Sequence, residues 1–185
     1  MKPVDDYRQA ARTLDEAGFV RKFGSLYMLK SPSKVDDEWD EDIQYQTVFV
    51  KMPARGDDGE FFEDGAAFDA SWRVAPVQKR PGNPFPDRIS VGRAQNCDIV
   101  LRLSYISKLH AHFLIGPRGV MYLCDQRSSN GTHVNGQALR AGTRVKVQVG
   151  DMIGFGQLEA QLISGAQFYE MLRSRPGASG WTWKR

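Results

Sequence analysis

The sequence predicts a mainly β protein: an antiparallel β-sandwich with an α+β segment on its N-terminal side and a short helix on its C-terminal side. Three observations lead there. From Arg88 onward the apolar residues gather in short runs, Arg88–Val91, Ile99–Leu101, Ala111–Ile115, Val120–Cys124, Thr132–Val134, Arg144–Gln148, Met152–Phe155 and Leu158–Ile163. These have strand length and are too short for helices. Gly-containing turns separate them, the pattern of an antiparallel sandwich. Helical periodicity is confined to the two ends of the chain.

Taken in order, Val4, Tyr7, Ala10 or Ala11, Leu14 and Ala17 recur at helical spacing, predicting an amphipathic helix from Pro3 to Ala17 with Gly18 as its stop. Phe19 to Lys30 reads as one or two strands broken near Gly24-Ser25. Ser31 to Asp42 holds six acids in twelve residues and reads as a solvated loop. Ile43 to Met52 alternates as a strand does, and Pro53 to Ala70 reads as a loop anchored by Phe61, Phe62 and Phe68. Val74 to Gln78 is the expected first strand of the sandwich, with Pro76 tolerated near an edge. Pro81 to Pro86 is a stiff loop, Gln167 to Arg173 a closing helix, and the chain after Pro176 a loose tail. The expected division is an N-terminal appendage over 1–70 packed on the sandwich, the sandwich over 71–165, and a helix and tail over 166–185.

Of the 185 residues, 41% are hydrophobic and 25% charged, an ordinary globular balance. No apolar run approaches the roughly 20 residues that cross a bilayer as a helix. Asp5 and Asp6 stand where a secretory signal would carry its apolar core, and Cys97 and Cys124 lack metal-site or disulfide spacing. The expectation is a reduced, cytoplasmic protein. The net charge of +3 hides a division. Met1 to Ala75 holds 10 Lys and Arg against 16 Asp and Glu, whereas Pro76 to Arg185 holds 15 against 6. A basic half invites an anionic ligand: phosphopeptide, nucleic acid and anionic lipid all qualify on charge alone.

Three polar islands fall at predicted strand ends: Val91-Gly92-Arg93, Ser107-Lys108-Leu109-His110, and Ser128-Ser129-Asn130-Gly131-Thr132 followed by Val134-Asn135-Gly136. Each has an ordinary reading. Arg93 can pair with Asp98, the Asn-Gly pairs are hairpin signals, and Ser107 can bond local backbone. Together, in this order and spacing, they resemble the forkhead-associated (FHA) domain, a phosphothreonine-binding β-sandwich. The resemblance runs from about Val74 to Ser164, and Gly150-Asp151 and Phe155-Gly156 match its late turns.

The resemblance implies about eleven strands, with ligand loops at one end. It also implies phosphothreonine-peptide binding without catalysis or cofactor, in an adaptor recruited by the product of a Ser/Thr kinase. Small bacterial proteins of this kind serve kinases, secretion systems and cell-division complexes. A phosphothreonine carries about −1.5 to −2 charges and three acceptor oxygens. The phosphopeptide residues implied are Arg93 as a planar fork, Ser107 as a close hydroxyl, Lys108 as a mobile charge, Ser129 beside the phosphate, and Asn130 on the ligand backbone. Tyr105 lies in the loop that selects a flanking residue. Gly92, His110, Gly131 and Asn135 support the site.

Other readings are open. His110-x-His112 shares a strand face, yet no further Cys or His completes a zinc set, so no metal is expected. Nucleic acid is a weaker reading, because the cations are scattered and no stacking platform is evident. A phosphate-independent scaffold is another. No nucleophile is paired with a base, so no enzyme is expected. The acids from Asp36 to Asp42 carry the charge to compete for the basic site, and Thr13, with Glu16 following, is a conceivable phosphorylation site.

Overall fold

The computed structural model describes residues 1–31 and 72–174. The acidic run, the expected strand over 43–52, the Phe-anchored loop and the tail lie outside the described residues.

The chain starts with a two-residue strand, β1 (Lys2–Pro3), and two short helices, α1 (Asp5–Thr13) and α2 (Glu16–Phe23). A single helix to Ala17 was the expectation. Instead, Asp15 takes an extended conformation and its side chain accepts a bond from Gly18 N–H at 2.9 Å. That is an N-cap, and it starts a new helix in which Gly18 is an interior residue. Phe19 and Val20, expected in a strand, belong to α2, which stops at Gly24 with φ +111°. The strands that follow are β2 (Leu26–Lys30), β3 (Arg73–Pro76), β4 (Arg88–Gly92), β5 (Ile99–Val100), β6 (Ala111–Ile115), β7 (Met121–Asp125), β8 (Thr132–Val134), β9 (Gln137–Ala138), β10 (Arg144–Val147), β11 (Met152–Phe155) and β12 (Leu158–Ser164). Helix α3 (Gly165–Arg173) closes the described chain, begun by a reciprocal capping box between Ser164 and Gln167.

Two sheets form the sandwich. One has the order β1-β3-β2-β12-β11-β8-β9, the other β10-β7-β6-β4-β5. All pairs are antiparallel except β4 with β5, where Val91 lies beside Ile99. The sandwich begins at β1, which pairs with β3, rather than at residue 74, and β2 is an inner strand: Leu29 pairs with Gln161 of β12 on one side and with Val74 of β3 on the other. The first 31 residues are thus built into the sandwich rather than set beside it.

Alternation along β2 explains why. Met28 points inward to the core shared with Phe113, Leu123, Phe155 and Leu162. Tyr27 and Leu29 point outward, where Val4, Tyr7, Phe19 and Phe168 cover them. The described residues form three layers: helices, the larger sheet, and the smaller sheet. A strand covered on both faces is apolar throughout, as Leu26-Tyr27-Met28-Leu29 is.

Candidate functional site

The pairing register brings three loops to one end of the sandwich. Val91, near the end of β4, lies opposite Ala111 at the start of β6, and Ala111 lies opposite Asp125 at the end of β7. The chain therefore turns at Arg93, at Tyr105–His110 and at Gln126–Gly131 side by side.

The first two loops are zipped together by backbone bonds. Arg93 N–H donates to Ser107 O at 2.9 Å, Ala94 N–H to Lys108 O at 3.0 Å, and His110 N–H to Val91 O at 2.8 Å. Arg93 Nε donates to Ile106 O at 3.1 Å, so the half-buried guanidinium is oriented by a backbone acceptor. Gly92 is needed for this approach: a Cβ there would stand 2.3 Å from Lys108 O. Buried Cys97 contributes a thiol bond to the same oxygen at 3.3 Å.

The third loop joins at two points. Ser129 N–H donates to Ser107 Oγ at 3.0 Å, and Asn130 Nδ2 donates to Tyr105 O at 2.7 Å. His110, fully buried, supports both. Its Nδ1 accepts from Ser107 N–H at 3.2 Å and its Nε2 donates to Gly131 O at 3.0 Å. Burial lowers its pKa, which keeps the ring neutral and makes this split of donor and acceptor possible. His110 reaches Ser107 through the backbone N–H and not through the hydroxyl. Gly131, at φ +76°, turns its carbonyl to accept from Gly156 N–H at 2.9 Å.

Of the residues singled out in the sequence, Arg93, Ser107, Lys108, Ser129, Asn130 and Tyr105 meet at this end, with Gly92, His110 and Gly131 beneath them. Lys108 is exposed, and half-buried Tyr105 packs on the core. Asn135 stands apart. At φ +51° it makes the β8–β9 turn, where its side chain bonds Asp151 Oδ1 and Met152 N–H. It holds that hairpin against β11 and not the three loops.

Two carboxylates matter that the site motifs did not reveal. Asp125, 3% exposed, accepts from Ser128 N–H, Ser128 Oγ and Thr132 Oγ1, the last at 2.7 Å, and so shapes the third loop from below. Its signal was local, an Asp three residues before a Ser, the pattern of a side chain bonding nearby backbone. Asp98 accepts from Lys79 Nζ, Arg80 N–H, Asn83 Nδ2, Ser90 N–H and Ser90 Oγ. Burial raises its pKa, but those donors outweigh it and hold the carboxyl below its ordinary range. Its partners are far apart in sequence, so no motif announced it. Both acids are sequestered by hydrogen bonds, and these loops also carry the cations Arg93, Lys108 and Arg127. Among the described residues no three His, Cys, Asp or Glu side chains gather as a metal site. No helix there is long and apolar enough to cross a membrane.

The described residues thus form a two-sheet β-sandwich that carries cations, hydroxyls and amides on three interlocked loops at one end. Residues 89–156 match the FHA domain family model, and the chain contains an FHA domain. Solved structures similar to it include Mycobacterium tuberculosis EmbR in complex with a low-affinity phosphopeptide, at 29% identity over 44% of this chain and 21% of that one, TM-score 0.38. The FHA domain of CT664 from Chlamydia trachomatis is 26% identical over 41% of this chain and 75% of that one, TM-score 0.38. The N-terminal FHA domain of S. cerevisiae Rad53p, solved with a phosphothreonine peptide, is 24% identical over 53% of this chain and 89% of that one, TM-score 0.43. The match thus spans about a fifth of EmbR and 29% of a longer Rad53 chain. Among curated proteins nothing matches.

Proposed function

We propose that this protein is a phosphothreonine-peptide-binding adaptor that recruits a partner after a Ser/Thr kinase has modified it. One observation carries the reading: Arg93, Ser107, Ser129 and Asn130 come from three separate loops, and those loops are fastened to one another by bonds of 2.7 to 3.1 Å. Donors held before the ligand arrives lose little freedom on binding it. A phosphate placed over this end meets the Arg93 guanidinium, the Ser107 and Ser129 hydroxyls and the Lys108 ammonium, with no exposed carboxylate in these three loops among the described residues. Asn130 has its Nδ2 on Tyr105 O and presents the rest of its amide to a peptide backbone. The chemistry is binding: no bond in the ligand is asked to break.

The test is a degenerate phosphothreonine peptide library, with phosphoserine and unphosphorylated controls, against the native protein and Arg93→Ala. Charge-assisted bonds contribute roughly 1.5–3 kcal/mol each, so Arg93→Ala should weaken binding at least about 10-fold. Equal binding of phosphorylated and unphosphorylated peptides would sink the reading.

A further inference from the structure

Along one side of the sandwich both sheets come to an end. The smaller sheet stops at β10, which is bonded to β7 alone, and the larger stops at β9. Among the described residues the other strands that end a sheet, β1, β5 and β9, have two residues each, whereas β10 has four. In an antiparallel edge strand every second residue turns its N–H and C=O away from its neighbour. β10 therefore presents a short row of backbone donors and acceptors to solvent.

Its side chains divide by face. Arg144 and Lys146 are exposed on the outer face and form no ion pair among the described residues. Val147 is buried, and half-buried Val145 packs on the core, as half-buried Leu139 does. Between the two sheet ends lies a groove of about 420 Å³ lined by Val134, Ala138, Leu139 and Val145, with Lys146 beside them. Asp151 is the carboxylate among its lining residues, and it is occupied by Asn135 Nδ2 and Gln148 N–H. An edge able to bond backbone thus runs beside an apolar slot and carries two cations on its other face.

We infer that β10 is a docking edge for an extended segment of a partner protein, one in which acidic residues alternate with apolar ones. The pleat dictates the pattern, because successive side chains of a strand point to opposite faces. Residues of an added strand opposite Arg144 and Lys146 share their face, and the residue opposite Val145 points into the groove. Directly opposite Cβ atoms lie about 4.5–5.5 Å apart, close enough for a carboxylate to pair with each cation. Charge selects this occupant over a second copy. Two β10 strands laid antiparallel, with Val145 against Val145, would set Arg144 of each against Lys146 of the other, and like charges directly opposite destabilise a sheet. Arg93, Ser107, Lys108, Ser129 and Asn130 do not line the groove, so the inference stands independently of the phosphothreonine reading.

The experiment titrates the full chain with labelled peptides of about eight residues, an ordinary strand length. One alternates Glu and Val, one Lys and Val, and one Glu and Ser. The native protein should bind the Glu-Val peptide with a Kd below about 1 mM, and about 5- to 10-fold more tightly than either of the others. Amide hydrogen exchange on the complex should slow in β10 and in the residues of the groove, a readout that needs no variant. The double variant Arg144→Glu with Lys146→Glu, at two exposed positions, should reverse the preference and take the Lys-Val peptide. Absence of binding below about 1 mM, equal binding of all three peptides, or slowed exchange that spares β10 overturns the docking edge. Concentration-dependent dimerisation that protects the β10 amides gives the edge to a second copy and overturns the partner assigned to it. Replacing the six acids between Asp36 and Asp42 by Asn and Gln should leave Glu-Val affinity unchanged. A rise of about 10-fold would give the edge to the chain's own acidic run and overturn the inference as well.

Discussion

A methyl group at position 92 would lie 2.3 Å from Lys108 O, 2.9 Å from the carbonyl carbon and 3.0 Å from Leu109 Cα. All three atoms are backbone, so no side chain can swing aside to accommodate it. Gly92→Ala must push the Ser107–His110 loop away from Arg93 and disturb the bonds from Arg93 N–H and Ala94 N–H to it. Overpacking of this kind costs about 2–3 kcal/mol. The variant should lose that much in urea denaturation and bind phosphothreonine peptide at least about 10-fold more weakly. Native affinity in a variant of native stability would show that the close approach is dispensable. Gly92 was legible in the sequence as a residue that lets the chain turn; its actual partner, the backbone of the next loop, was not. The same holds for Asn130, which the motif picks out but whose bond to Tyr105 O joins positions 25 apart. Motifs name the residues that face a ligand, whereas long-range bonds decide how those residues are held.

At the scale of elements, the strands from Arg88 to Ser164, apart from the exposed two-residue β9, were readable because they are covered on one face and bounded by turns, and several were placed to the residue. For β2 the strand itself was legible in Leu26-Tyr27-Met28-Leu29, but its place in the sheet was not. Its apolar run of four carries no alternation, and its neighbour β3 enters at Arg73, 43 positions after Lys30. Sequence patterning sees local period and not pairing across such a gap. Yet β2 is central: it is bonded on both sides, and Tyr27, Met28 and Leu29 are each at most 1% exposed. Met28→Ala should therefore cost about 2–5 kcal/mol. A fragment of residues 72–174, which lacks β2 and the two N-terminal helices, should show no cooperative thermal transition by circular dichroism. A sharp melt near the native temperature would instead make the first 31 residues a true appendage.

At the scale of the whole molecule, the response to acid follows from where the titrating groups are buried. Asp98 ties the β3–β4 loop to the start of β5, and Asp125 ties the third ligand loop. Burial pushes both carboxyls up, but hydrogen bonds, from Ser90 and Arg80 in one case and from Ser128 and Thr132 in the other, win and hold them down. An acid whose folded pKa is depressed stabilises fully above its unfolded value near about 4 and loses that contribution as pH falls further. His110 and His112 are lowered mainly by burial, so the unfolded chain takes up their protons first, and they begin to lower stability below about 6.5. Glu159, raised by burial, acts in the opposite sense. The expected profile of urea midpoints begins to decline below about pH 8, because burial lowers the Met1 amine from 8.0 to about 6, declines further through pH 6 as the two histidines protonate, and falls steeply below about 4. Asp98→Asn should lower the midpoint at pH 7 by the equivalent of about 2–3 kcal/mol and flatten the steep limb, because the variant has no carboxylate there to protonate. If Asp98→Asn instead kept the full acid limb, the loss would belong to other groups, and the network of Lys79, Asn83 and Ser90 around Asp98 would be a matter of shape rather than charge.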